Sequence, residues 1–271
     1  RPAAQRGRGG VRIAGLLLLG AAAAAGEAQL PSMATATIDG DVLHANTLEV
    51  AGLAFRDVTA RPRLTAGRLG FLDIEAKAYR GRITGWYVMD LAGEKRRQQC
   101  EFHVAGLDLG TLARSLGSTN EHLGGRLDGW FEMTLPIGPG PVTGRGQIDI
   151  TDGTLVQLPL LVNFLAGNPV AAKGKDKLTA RFQLREDGID ILWLRLESPA
   201  VQLAAQGRIG YDGRLQIEIA PRLSFDLIGK IPLLGGWAAS GLSRLAGSVA
   251  RAYVRGHVSQ PVIVVNAFGR K

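Results

Sequence analysis

The fold class of this chain is decided by the stretch Leu178-Thr-Ala-Arg-Phe-Gln-Leu-Arg-Glu-Asp-Gly-Ile-Asp-Ile-Leu-Trp-Leu-Arg-Leu-Glu197. Apolar and polar residues alternate on both sides of Asp187-Gly188, a pattern typical of two half-buried strands joined by a tight turn. The apolar positions of the second strand are Leu192, Leu194 and Leu196. The segment therefore predicts an antiparallel hairpin with one apolar face.

The same alternation recurs from about residue 34 onward, for example in Arg145–Ile150 and Arg214–Ile219. Further Asp-Gly pairs at 128–129, 152–153 and 212–213 separate the alternating segments. Such pairs favour tight hairpin turns. We therefore expect a mainly β chain that forms a meander of antiparallel strands.

Two segments of this meander resemble each other. Residues 81–91 and 125–135 are identical at six of eleven positions, including a Trp and a Met. A repeated hairpin unit predicts an extended sheet that grows by adding strands, although turn chemistry also recurs in unrelated hairpins. We divide the chain into an N-terminal β repeat region, 31–122, and a C-terminal β region, 123–271.

Composition excludes several classes of protein. The chain has 271 residues, of which 46% are apolar and 21% charged, so it can form a core and is not disordered. Its 37 glycines follow no three-residue period, which excludes collagen. Cys100 is the only cysteine, so neither a disulfide framework nor a multi-cysteine metal site is possible.

The basic charge does not indicate nucleic-acid binding. The net charge is +8, but Arg1, Arg6, Arg8 and Arg12 all lie in the first twelve residues. From Gln29 onward there are 28 basic and 23 acidic residues, a net charge of only +5. No dense basic patch interleaved with aromatic residues is present, and we expect no nucleic-acid partner.

The N-terminus has the pattern of an export segment. Arginines precede the apolar run Ile13–Ala25, whose 13 residues are too few to cross a bilayer as a helix. They fit the apolar region of a signal peptide, and Gly26-Glu27-Ala28 supplies small residues for cleavage. We expect a signal peptide or membrane anchor over residues 1–30; an ordinary buried helix is the alternative.

Three short amphipathic helices are predicted between strands: Leu109–Leu116, Leu160–Ala166 and roughly Leu233–Val254. The third has an apolar stripe and an opposite face that carries arginines. This basic face could lie on an anionic membrane surface, or the helix could close one end of the sheet. The membrane-surface candidates are Arg244, Arg251 and Arg255.

Catalytic and metal-binding motifs are absent from the sequence. The four histidines are far apart, and there is no zinc-binding pair, nucleophile elbow or phosphate-binding glycine loop. Cys100 and His103 are three positions apart, so they would face opposite sides of a strand. We expect neither an enzyme nor a bound metal or cofactor.

Residues 123–219 carry motifs that resemble the C-terminal region of AsmA-like proteins of the bacterial cell envelope. The motifs are Gly124–Gly129, Gly144–Leu155, Leu158–Leu161, Leu178–Phe182, Leu194–Ser198 and Gly207–Leu215, with Tyr79–Gly85 and Val104–Leu112 upstream. The resemblance implies an extended, twisted, groove-shaped (taco-like) antiparallel sheet that is anchored at the inner membrane and projects into the periplasm. It also implies a role in moving phospholipid between membranes or in outer-membrane assembly. This chain differs in being short, with a brief apolar leader in place of a clear anchor.

An apolar sheet face must be covered by helices, a second sheet or a ligand. Because the predicted helices are few and short, we expect part of the face to form a trough for the acyl chains of an envelope lipid. The candidate trough residues are Leu192, Leu194, Leu196, Leu203 and Leu215. The alternative is a closed β module with a dry core that binds an envelope protein and no lipid.

Overall fold

The computed structural model describes residues 32–33, 36–50, 53–92, 96–118, 123–138, 140–155, 175–198, 202–222, 251–258 and 260–266. Strands contain 78% of these residues, and they form one large, open antiparallel sheet accompanied by one short helix. The prediction of a mainly β chain with an extended antiparallel sheet is confirmed. In this part of the chain, no helix is long and apolar enough to span a bilayer.

The secondary-structure elements follow one another in chain order. They are β1 Ser32–Met33, β2 Ala36–Asp39, β3 Val42–Val50, β4 Leu53–Thr65, β5 Arg68–Ala78, β6 Gly81–Asp90, β7 Arg97–Asp108, α1 Leu109–Ser115, β8 Arg126–Pro136, β9 Thr143–Gly153, β10 Asp176–Arg185, β11 Gly188–Glu197, β12 Gln202–Gly210, β13 Arg214–Arg222, β14 Arg251–His257 and β15 Gln260–Asn266.

The sheet is a meander. Each strand from β4 to β15 pairs antiparallel with the strand before it. β1 and β2 lie end to end along the same edge of β3, where Ser32 pairs with Glu49 and Ala36 with Ala45. Fifteen strands therefore occupy fourteen positions. The sheet continues from the N-terminal to the C-terminal region through the pairing of β7 with β8.

The two faces of the sheet differ in polarity. Directly paired residues of an antiparallel sheet share a face, and the register from β8 to β12 keeps Leu127, Leu196 and Leu203 together. We call this the apolar face. Its largest buried cluster extends from Leu53 in β4 to Val254 in β14. Burial of this face makes the main contribution to the free energy that holds the strands in one register.

The opposite face, the polar face, carries ion pairs between neighbouring strands. Arg145 Nη2 lies 2.9 Å from Glu132 Oε2, and Arg251 Nη1 lies 2.7 Å from Glu218 Oε1. These side chains remain partly exposed, so each pair adds at most about 1 kcal/mol. Alternation of such residues with the apolar ones produces the two faces.

The predicted helix at 109–116 is confirmed as α1. Its first turn is capped by Asp108, whose carboxylate accepts a hydrogen bond from the Thr111 amide at 2.7 Å. Leu109 and Leu112 are buried and belong to the main cluster on the apolar face. The helix predicted at Leu160–Ala166 lies outside the described residues.

The third predicted helix is wrong where it can be compared with the structure. Its residues up to 250, including Arg244, lie outside the described residues, whereas Arg251–Val254 belong to β14. In this strand the buried residues Ala252 and Val254 alternate with Arg251 and Arg255. Pairing with both β13 and β15 satisfies its backbone groups and overrides the helical spacing of the preceding residues.

The Asp-Gly pairs do not all mark turns. The pairs at 187–188 and 212–213 stand at hairpin turns, and the pair at 152–153 ends β9. The turn expected at 128–129 is wrong, because both residues lie inside β8. There the Asp128 carboxylate accepts a hydrogen bond from the Gly106 amide at 2.8 Å, where the register of β7 shifts.

Candidate functional site

The apolar face is most deeply buried in one row that crosses the sheet near the start of α1. The row contains Leu107, Leu127, Ile150, Leu196 and Leu203, which are paired across the strands except where Leu178 intervenes. None of the five is more than 6% exposed. Each contributes the roughly 1.5–3 kcal/mol expected of a fully buried aliphatic side chain.

A less buried apolar area lies next to this row on β6 to β9. We call it the inner patch; it consists of Ile83, Phe102, Phe131 and Ile148, all half-buried. The register puts the two isoleucines in one transverse row and the two phenylalanines in the next. The phenylalanine rings have centroids 5.6 Å apart. Phe131 and Ile148 pack against both of the larger buried clusters, so the inner patch lies between them.

Glycines form the floor of the inner patch. A Cβ added at Gly85 would lie 2.7 Å from Cδ1 of Phe102 and 2.1 Å from the Glu101 carbonyl oxygen. A Cβ at Gly146 would lie 2.6 Å from Cζ of Phe182. The aromatic rings thus lie directly over glycine backbone, and any side chain added at either position would force its neighbours to shift.

Four of the five predicted trough residues share the apolar face, but Leu192 does not. Leu196, Leu203 and Leu215 are buried, and Leu194 is half-buried beside them. The register of β11 shifts between Ile191 and Leu194, against both β10 and β12. Leu192 therefore lies on the polar face with Trp193, and it is 46% exposed. A β-bulge of this kind reverses the alternation locally.

Two of the three basic residues predicted to contact a membrane, Arg251 and Arg255, lie on the polar face of β14, and Arg244 lies outside the described residues. Arg251 donates a hydrogen bond to Glu218 at 2.7 Å, so its charge is balanced locally. The guanidinium of Arg255 lies 5.6 Å from the centre of the Tyr253 ring. Both arginines are therefore on the side of the sheet opposite the apolar face. They do not form a basic helix surface.

The structure separates the one cysteine from the nearest histidine. Cys100 is buried on the apolar face, and burial raises the pKa of its thiol to about 11. His103 is on the polar face, where its Nε2 lies 3.0 Å from Glu101 Oε1. The two side chains therefore lie on opposite faces of β7, and a thiol with so high a pKa is protonated at neutral pH. Among the described residues, no group of three or more His, Cys, Asp or Glu side chains could hold a metal ion.

One polar contact interrupts the apolar face beside the inner patch. The Tyr87 hydroxyl donates a hydrogen bond to Oε1 of Gln98 at 2.6 Å. Burial, and secondarily the neighbouring Cys100, raises the pKa of Tyr87 to about 12. The Tyr87 hydroxyl and the Gln98 amide oxygen are hydrogen-bonded to each other, and neither side chain presents a charged group to the inner patch.

An open depression of about 1110 Å³ lies along β11 to β14, lined by residues of both faces. It is lined by Leu192 and by side chains of both charges, including Asp190, Glu218, Arg255 and His257. Sequence reasoning missed this feature, because simple alternation assigns Leu192 to the other face. Sequence reasoning also missed the inner patch. Phe102 and Phe131, which stand at apolar positions of alternating segments, were a visible signal.

Comparison with protein-family models, with curated proteins and with solved structures finds no match to this chain.

Proposed function

We propose that this chain is a non-enzymatic protein of the bacterial cell envelope that binds or conducts phospholipid between membranes and assists outer-membrane biogenesis. The observation that carries the proposal is the inner patch, a half-buried apolar area on an open sheet. An acyl chain laid across Phe102 and Phe131 would complete the burial of this area. The apolar leader and the resemblance to AsmA-like proteins support a periplasmic location, with the leader as a signal peptide or an inner-membrane anchor.

The size of the inner patch fits an acyl chain. Its four strands, β6 to β9, span three spacings of about 4.8 Å each, or roughly 14 Å. One leaflet of a hydrocarbon core of about 30 Å is about 15 Å thick, which is the length of an acyl chain in a bilayer. Each methylene that leaves water contributes about 0.8 kcal/mol, so a continuous apolar lining is sufficient for capture.

The chemistry of the face also suits an uncharged chain. On β6 to β9 the residues that share the face of Phe102 and Phe131 include no charged side chain. The hydroxyl of Tyr87 and the amide of Gln98 are paired with each other. Charged side chains of these strands are confined to the other face, so an acyl chain on the inner patch would meet none of them.

The proposal is tested by native mass spectrometry of the detergent-free chain, followed by organic extraction and lipid analysis. We expect near-stoichiometric phospholipid. Leu194→Asp places a charge in the row that contains Ile148 and should abolish lipid retention. Leu192→Asp is the matched control, because it adds the same charge two residues away on the polar face. Equal lipid content in folded Leu194→Asp and wild-type protein would contradict the proposal.

One observation favours a second function, a closed structural module that binds an envelope protein without lipid. Leu127, Leu196 and Val254 are at most 1% exposed, so this part of the apolar face is already covered. A lipid-free mass for folded wild-type protein would support the module. In that case the inner patch would be the surface offered to a protein partner.

A further inference from the structure

Among the described residues, β15 is the edge strand at one side of the sheet. β15 pairs with β14 through all seven of its residues, from Gln260 to Asn266. No described strand pairs with its other side. Backbone N–H and C=O groups on such an edge need partners, and they form a template for another strand.

Apart from Pro261, the sequence of this edge lacks the usual protection against strand pairing. Native edge strands are blocked by charged residues, bulges or prolines. No charged residue occurs from Val258 to Phe268, and Pro261 stands only at the second position of β15. Val262 and Val264 are 56% and 43% exposed, and their register partners Arg255 and Tyr253 place them on the polar face. Two exposed valines on an uncharged edge are an apolar surface without a partner in the described chain.

We propose that β15 pairs antiparallel with β15 of a second copy of this chain, joining two sheets edge to edge. Antiparallel pairing that keeps each face continuous requires partner numbers with an even sum, because a shift by one residue exchanges the faces. Pairing centred on Ile263, the middle residue of β15, meets this condition and runs the length of the strand, with Pro261 supplying no N–H. It sets Val262 opposite Val264 of the second copy, and Gln260 opposite Asn266.

Self-pairing fits this edge better than pairing with the opposite edge of the sheet. The same two valines meet on both sides of the twofold axis, so a single strand supplies both halves of the contact. β2, at the other edge, has only four residues and ends in Asp39, with Asp41 close behind. Pairing β15 with β2 would be head-to-tail, so it would repeat from copy to copy into a filament or a ring and would not stop at two chains. The inference does not depend on lipid binding, because the exposed valines lie on the polar face.

The test is sedimentation equilibrium of the full chain, combined with hydrogen exchange of the β15 amides as a function of protein concentration. We expect a monomer–dimer equilibrium and, as the dimer forms, slower exchange of those β15 amides that point away from β14. The double variant Val262→Lys/Val264→Lys sets lysines opposite each other and should weaken dimerisation at least tenfold. Mixing it with Val262→Glu/Val264→Glu should restore a mixed dimer, which also shows that both variants are folded.

Ile38→Lys is the matched control at the other edge, since Ile38 is 67% exposed in β2. It should leave dimerisation unchanged. The inference is overturned if the chain stays monomeric at its highest soluble concentration, or if association is unaffected by the lysines in β15. It is also overturned if Ile38→Lys, and not the β15 variant, abolishes association, because pairing would then use the β2 edge.

Discussion

Truncation of Leu196 and Leu192 to alanine compares two leucines of one strand that the bulge in β11 places on opposite faces. Leu196 is 1% exposed within the main buried cluster, so its truncation removes buried methyl groups and leaves a cavity. Such changes cost about 2–5 kcal/mol of the free energy of unfolding. Leu192 is 46% exposed. At about 0.8 kcal/mol per fully buried methylene, its truncation should cost only about 1 kcal/mol.

The difference is measured by urea denaturation of both variants and the wild type, followed by far-ultraviolet circular dichroism. Similar denaturant slopes would show that the extent of unfolding is the same. We expect the midpoint to fall clearly for Leu196→Ala and little for Leu192→Ala. If Leu192→Ala destabilised the protein as much as Leu196→Ala, strict alternation would hold in β11, and the assignment of Leu192 to the polar face would be refuted.

Three further predictions use the same unfolding assay. Gly146→Val should cost about 1–3 kcal/mol, because its Cβ would lie 2.6 Å from Phe182 Cζ; Gly124→Val, whose nearest such contact is 3.4 Å, should cost less. The pKa of the Cys100 thiol is raised from 9.0 to about 11 in the folded protein. The contribution of the buried, protonated thiol to the free energy of unfolding is therefore complete below pH 9.0 and is lost as the pH rises toward 11. Cys100→Ala should therefore reduce the alkaline loss of stability, and an unchanged pH profile would count against the buried thiol. Asp108→Ala removes the cap of α1 and should cost about 1 kcal/mol at neutral pH. Hydrogen bonding to Thr111 lowers the pKa of Asp108, so this difference should shrink as acid protonates the carboxylate, and a constant difference would contradict the cap.

The internal repeat shows how far sequence patterns reach. The two similar segments form the bulk of β6 and β8, strands that run in the same direction two positions apart. Trp86 and Trp130 both lie on the polar face, whereas Met89 and Met133 both lie on the apolar face. Equivalent residues thus occupy equivalent faces, because both strands keep a two-residue period and a register that leaves the apolar positions on one face.

The candidate site was only partly accessible from the sequence. Alternation identified Leu194, Leu196, Leu203 and Leu215 as residues of one face, and the structure places them there. It could not distinguish deeply buried rows from half-buried ones, because exposure depends on which elements cover each row. The inner patch therefore emerged only from the structure.

The sequence by itself determined the class of fold, the order of the strands and the capped helix after β7. Each depends on local terms: a two-residue period, short turns and the Asp108 cap. Tertiary structure decided the bulge that moves Leu192 to the polar face and the strand conformation of Arg251–His257. It also decided the β5–β6 turn, where Tyr79 and Arg80 adopt positive φ angles of 46° and 67° without a glycine. The Tyr79 carbonyl accepts a hydrogen bond from the Asp108 amide at 2.7 Å, so contacts between distant strands stabilise a backbone conformation that local propensity disfavours.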